Sequence, residues 1–178
     1  MAAAQRPPPS LRARALQWLA QREHSRDELR RKLLAHARRH EEATAEQADA
    51  QPQGASAEPR PDPATAVDAL LDWLQARNYL NEQRFVESRV HAREQRFGNL
   101  RIRQELAQHG LELDDARAAA LRQTELERAR AVWARRFGTV AADAAGRARQ
   151  ARFLAGRGFS AEVIRRVVGP AAVRDDDA

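Results

Sequence analysis

Cysteine is absent from the chain, which excludes disulfides and thiolate-ligated metal sites. Aromatic side chains make up only 5% of the residues, and much of the 43% hydrophobic fraction is alanine. Alanine favours helices but adds little buried area, so several thin helix–helix seams are expected in place of one thick core. No apolar run approaches the ~18 residues of a membrane span. Residues 1–10 lack a charged segment followed by an apolar one, so no secretory signal is read there and a cytoplasmic protein is expected. No stretch alternates with period two, which leaves no candidate strand. A G-x-x-x-x-G-K-[ST] phosphate loop is also missing.

Charge is plentiful and unevenly placed. The net charge of +6 divides into +7 over residues 1–40, −5 over 41–65 and +4 over 66–178. A basic field of this kind favours a polyanionic or acidic partner. Lys32 is the sole lysine, so genome base composition is a rival source of the arginine excess.

Three pentads repeat: Leu29-Arg30-Arg31-Lys32-Leu33, Ile102-Arg103-Gln104-Glu105-Leu106 and Ile164-Arg165-Arg166-Val167-Val168. Each follows a strong helix-start signal, and repetition of one supersecondary unit fixes an architecture before any residue has a role. Ser10 caps a helix with Leu11, Ala15, Trp18 and Leu19 on one face, and Ser25-Arg-Asp-Glu28 is a capping box for the next. Residues 10–39 therefore read as a first helical module, after a disordered lead-in over 1–9. Residues 41–64 hold no Leu, Ile, Val or aromatic residue and read as a flexible acidic, Pro-rich linker. Helical stripes then recur over 66–122, a second module with a preceding connecting helix, and over 125–169, a third. A helix break is expected between Leu121 and Glu125. Residues 170–178 form an acidic tail. The fold class is all-α.

Nothing in the chain reads as catalytic, and no cofactor is expected. His36 and His40 stand at i, i+4, a spacing that can ligate zinc, but no third ligand is evident and a solvated helix face is the better reading. Trp18, Phe85, Trp133 and Phe153 lie on or beside apolar stripes and are expected to pack in cores. The partner- and DNA-binding candidates are Arg30, Arg31, Lys32, Arg103, Arg165 and Arg166. If the modules stack alike, Arg30, Arg103 and Arg165 line up as a basic stripe, since a guanidinium fork grips phosphate or carboxylate bidentately. The competing view makes them ordinary surface charges, some paired with Glu28, Glu105 or Glu162. The acids that follow Ser25 and Ser160 would repel phosphate, which disfavours sequence-specific DNA reading.

Four segments in order resemble the RecX family of recombination regulators: 22–33 (REHSRDELRRKL), 78–85 (NYLNEQRF), 100–111 (LRIRQELAQHGL) and 153–168 (FLAGRGFSAEVIRRVV). The stretch at 41–64 looks longer than the family usually has, and Asn81 stands where an aspartate is more frequent. The resemblance implies an elongated tandem array of three helix-turn-helix or three-helix repeats without enzymatic activity, and a monomer is expected. It further implies that the chain binds the RecA recombinase filament on single-stranded DNA and inhibits its ATPase, strand-exchange and coprotease activities. Whether single-stranded DNA is contacted directly stays open. The alternative is a non-specific nucleic-acid-binding helical protein that acts without RecA.

Overall fold

A computed structural model describes residues 10–49 and 62–169, which form eight helices and no strand. The chain divides into two compact units, the first reaching Phe85 and the second beginning at Val86.

The first unit holds α1 (Leu11–Gln21), α2 (Arg26–Asp49) and α3 (Pro63–Ala76). Each start has a side-chain acceptor for an otherwise unpaired backbone N–H. Ser10 Oγ accepts from Ala13 at 3.2 Å, Ser25 Oγ from Glu28 at 3.1 Å and an Asp62 oxygen from Thr65 at 3.3 Å. The three stripes meet in one core of Ala15, Leu29, Leu33, Val67, Leu71, Leu74 and Leu80, with Trp18 and Trp73 packed at its edge. Each buried leucine contributes ~1.5–3 kcal/mol, so this seam carries much of the unit's stability. Ion pairs between Arg26 and Asp72 at 2.7 Å, and between Arg30 and Asp68 at 2.6 Å, run along the α2–α3 seam.

This arrangement corrects the domain reading in two places. The first module is a three-helix unit, because α3 belongs to its core and does not lead into the second. The residues from 41 onward also continue α2 as far as Asp49. That segment has no apolar stripe, yet it is built of Glu, Ala, Thr and Gln without a Gly or Pro breaker, and helix propensity carries it on from an anchored start. Asp62 and Pro63 then open α3, so the linker expectation fails at that end too. Its middle, 50–61, lies outside the described residues, as do the lead-in at 1–9 and the tail at 170–178.

Glu28 sits beneath the α1–α2 turn. Burial pushes its pKa up, but the hydrogen bond from Arg22 and the nearby charges of His24, Arg22 and Lys32 outweigh this and hold it down to about 2. His24 is almost fully buried, and burial lowers its pKa against the opposing pull of Glu28. Both groups work in one direction. A depressed carboxylate pKa stabilises the fold above its unfolded value near 4.5 and loses that contribution as pH falls toward 2. A histidine held neutral likewise destabilises once acid protonates it. Urea midpoints of Glu28→Gln are therefore expected to fall less between pH 5 and 2.5 than those of the parent chain; parallel curves would rule out this role.

The second unit contains most of α4 (Glu82–Glu94), with α5 (Asn99–Ala107), α6 (Asp115–Arg136), α7 (Ala144–Gly156) and α8 (Ala161–Val168). Val86, Ile102, Leu106 and Leu121 are buried in its first part. Ala129, Val132, Leu154, Phe159, Val163, Val167 and Val168 form the core of its second, with Trp133 and Phe153 against it. Phe159, in the turn between α7 and α8, is thus a core anchor. The expected break between Leu121 and Glu125 is also absent: α6 runs straight through it. Arg122-Gln123-Thr124 contains no breaker, and the Thr124 hydroxyl donates back to Ala120 C=O at 3.3 Å. The pentad's fourth position differs from a solvent-facing one as well. Glu105 is buried and meets Arg93 at 2.9 Å, Arg101 at 3.3 Å and Arg89 at 3.6 Å.

A tight joint links the start of α5 to the α7–α8 turn. Gly98 N–H donates to Arg157 C=O at 2.9 Å, and Leu100 N–H donates to Gly158 C=O at 3.0 Å. Gly98 has no side chain with which to cap α5. Glu125, buried in the middle of α6, does so from a distance. Its Oε1 accepts from Asn99 N–H at 3.0 Å and Ser160 N–H at 3.4 Å, and its Oε2 accepts from Ser160 Oγ–H at 3.1 Å. One turn on, Arg128 donates to Glu94, Phe97 and Leu121 carbonyls and to Asn99 Oδ1.

Candidate partner-binding groove

Helix α5, the α5–α6 loop and the first half of α6 line a cavity of about 500 Å³, and the start of α5, the middle of α6 and α8, held by that joint, line an adjoining one of about 520 Å³. Leu100, Arg103 and Arg122 line both. Beyond this shared wall, one cavity is floored by Ala107, Leu111, Leu113 and Ala118, and the other by Leu126 and Val163. Leu100 is 54% exposed at their meeting point, unusual for a leucine on a helix whose Ile102 and Leu106 are fully buried.

Four arginines rim these cavities: Arg103, Arg122, Arg130 and Arg166. All four are exposed, and among the described residues none makes an ion pair. Elsewhere in the unit several guanidiniums are engaged, although Arg136, Arg149, Arg152 and Arg165 are likewise exposed without an ion pair among the described residues. Arg89, Arg93 and Arg101 surround Glu105, Arg117 joins Asp114 and Glu87, and Arg128 is consumed by backbone carbonyls. Four of the unit's unpaired guanidiniums thus meet on one concave surface. Glu112, Asp115, Glu127 and Glu162 are interspersed with them, and no aromatic ring lines either cavity. A continuous phosphate backbone would meet those acids repulsively and find nothing to stack on. Discrete acidic side chains flanked by aliphatic ones, as on a protein surface, match an apolar floor with separated guanidinium forks.

The structure places the sequence candidates in three different settings. Arg103 and Arg166 come together on this groove. Arg165, the pentad equivalent of Arg103, is exposed but does not line it, so the groove takes the second position of one pentad and the third of another. Arg30 is held bidentately by Asp68, with Nε–Oδ1 at 2.6 Å and Nη2–Oδ2 at 2.9 Å. That bond and the Asp68 charge raise its pKa further. Lys32 lies 3.6 Å from Glu28, and Arg31 is exposed on α2. None of the three carboxylates suggested as arginine partners serves Arg30, Arg103 or Arg165. His36 packs edge-on against Trp18, and no group of three or more potential metal ligands occurs among the described residues.

Sequence reasoning missed Arg122, Arg130 and Leu100. A signal was present: Arg122, Leu126 and Arg130 stand at i, i+4 and i+8, an aliphatic residue between two arginines on one helix face. It lay hidden because the stripe Leu121, Glu125, Ala129, Val132 of the same helix is the buried one.

Helical domains in tandem define an all-α helical-repeat protein, and among the described residues no helix is long and apolar enough to cross a membrane. The comparisons place it more narrowly. Residues 81–119 match the family profile described as RecX, second three-helix domain, and residues 123–168 match RecX, third three-helix domain. The chain is 49% identical to the regulatory protein RecX of Leptothrix cholodnii over 168 residues, covering 93% of this chain and 92% of that protein. It is 46% identical to the regulatory protein RecX of Ralstonia nicotianae, covering 96% and 94%. The regulatory protein RecX of Pseudomonas fluorescens, at 36% identity, covers 93% and 94%. The chain belongs to the RecX family of regulatory proteins.

Proposed function

We propose that the chain regulates recombination without catalysis, by binding the RecA filament on single-stranded DNA and inhibiting its ATPase, strand-exchange and coprotease activities. Family membership supports the regulatory role. The observation that carries the contact is the convergence of four unpaired arginines and an exposed leucine on one groove of the second unit. An acidic patch of the recombinase seats its carboxylates on Arg103, Arg122 and Arg166 and an aliphatic side chain against Leu100. Tandem domains on one chain add such contacts through effective concentration, so each need not be strong.

Titration of the chain into RecA hydrolysing ATP on single-stranded DNA is the direct test; unchanged turnover at stoichiometric amounts would remove the proposal. Residues within the groove are tested by a triple variant. Arg103→Ala, Arg122→Ala and Arg166→Ala together are expected to raise the inhibitory midpoint at least tenfold with unchanged helicity, because each loses a charged contact worth ~0.5–1 kcal/mol at a partly wet interface. Arg30→Ala serves as the control, since Asp68 already occupies that guanidinium; equal effects of the two would move the contact away from the groove.

A further inference from the structure

We propose that Tyr79, Trp73, Arg12 and Arg77 of the first unit form a base-stacking site for single-stranded nucleic acid. Tyr79 is 49% exposed, and its ring stacks on Trp73 with centroids 5.8 Å apart and planes inclined by 24°. The Arg12 guanidinium lies over the Trp73 ring at 3.9 Å and that of Arg77 at 4.8 Å. Among the described residues neither arginine has a carboxylate partner, whereas Arg26 and Arg30 of the same unit are taken by Asp72 and Asp68.

The presentation of Tyr79 is held from several sides. Asn78 occupies the left-handed region at φ 60°, which an asparagine tolerates. Arg84 donates to Asn78 Oδ1 at 3.2 Å, to Asn78 C=O at 3.0 Å and to Tyr79 C=O at 3.1 Å. The Arg84 Nε in turn is anchored on Glu23 at 2.8 Å. Tyr79 N–H and Leu80 N–H both donate to Leu74 C=O, at 2.9 and 3.2 Å. Leu80 turns into the core and is 2% exposed, while the preceding ring is left outside. The backbone is thus rigid where the tyrosine is exposed, and the ring rests on a tryptophan packed at the core's edge.

A rigid, exposed aromatic face beside two unneutralised guanidiniums is what a single strand needs. Any base can stack on the ring, and the cations reach the flanking phosphates. In a duplex the base faces are already covered by their neighbours, so the preference is for unpaired strands. The rings that the second unit's groove lacks are present here. The site stands independently of the recombinase contact.

Fluorescence anisotropy of labelled oligo(dT), and of an abasic strand of equal length, titrated with the full chain tests it. The parent chain is expected to prefer oligo(dT), and Tyr79→Ala to weaken that binding about tenfold while leaving the abasic strand unaffected. Tyr79→Phe, which keeps the ring, should bind like the parent. Arg12→Ala with Arg77→Ala should weaken both strands and reduce the slope of log K against log salt by about 1.4. The proposal is overturned if the parent chain does not bind oligo(dT), if Tyr79→Ala binds it unchanged, or if both strands lose equally. Unchanged oligo(dT) binding with weakened binding to DNA-free recombinase would make the patch a protein contact and equally end the nucleic-acid assignment. Because the strands are bare, none of these results depends on the groove of the second unit.

Discussion

Replacing Gly98 with alanine is expected to cost the second unit about 3 kcal/mol or more, through overpacking and the loss of two backbone hydrogen bonds. A methyl group on Gly98 would fall inside the Gly158 carbonyl and the Phe159 nitrogen. These are backbone atoms and cannot swing aside as a side chain would. The start of α5 would have to withdraw from the α7–α8 turn, breaking the Gly98–Arg157 and Leu100–Gly158 hydrogen bonds. Gly158 is constrained from the other side, at φ +79° and with its added Cβ 2.5 Å from the Arg101 nitrogen. Gly156→Ala is the matched control: an added Cβ there meets nothing within 4 Å, and at the end of α7 it should be neutral or slightly stabilising. Urea denaturation of the three chains measures the difference. Equal midpoints for Gly98→Ala and the parent would show that the two segments are not in obligatory contact.

These two glycines also mark how far the sequence could be read. Helix type and most caps were legible because they are local: Ser10, Ser25, Asp114 and Ser160 each accept from the backbone N–H three residues on. The membership of α3 in the first core was not, since the pairing of Val67 and Leu71 with Leu29 and Leu33 crosses a stretch whose composition reads as a linker. The α6 break failed for a different reason. Polar Arg122-Gln123-Thr124 interrupts the apolar run but not the backbone ladder, and propensity rather than burial decides such a segment. For the candidate site, the pentad located Arg103 and Arg166 but gave a false equivalence. Helices α5 and α8 do not present corresponding faces to the groove, and Arg30 meets an aspartate from a helix that the linker reading had assigned elsewhere. Ion pairing between distant residues decides which arginines stay free, and no spacing rule conveys it.

Glu125→Ala is expected to be the most damaging single substitution of a charged residue, at about 3–5 kcal/mol. The carboxylate is only 5% exposed, and it accepts from three donors on two other segments. Removing it leaves Asn99 N–H, Ser160 N–H and the Ser160 hydroxyl without that acceptor. It also withdraws a negative charge from beside the half-buried Arg128, whose pKa burial already lowers. Glu125→Gln keeps the shape and one acceptor oxygen, but its amide nitrogen cannot accept from the Ser160 hydroxyl, so a loss of ~1–2 kcal/mol is expected. Hydrogen exchange at Asn99 and Ser160 separates the cap from general destabilisation: both amides should lose protection in Glu125→Ala before those of α7 do. Uniform loss across the unit would deny the carboxylate its linking role. The same substitution reaches function by geometry. Glu125 fixes the first turns of α5 and α8, the helices from which Leu100, Arg103 and Arg166 enter the groove. In Glu125→Gln, which should remain folded, partner affinity is therefore expected to fall although every groove arginine is retained. Full affinity in that variant would show that the groove tolerates movement of its walls.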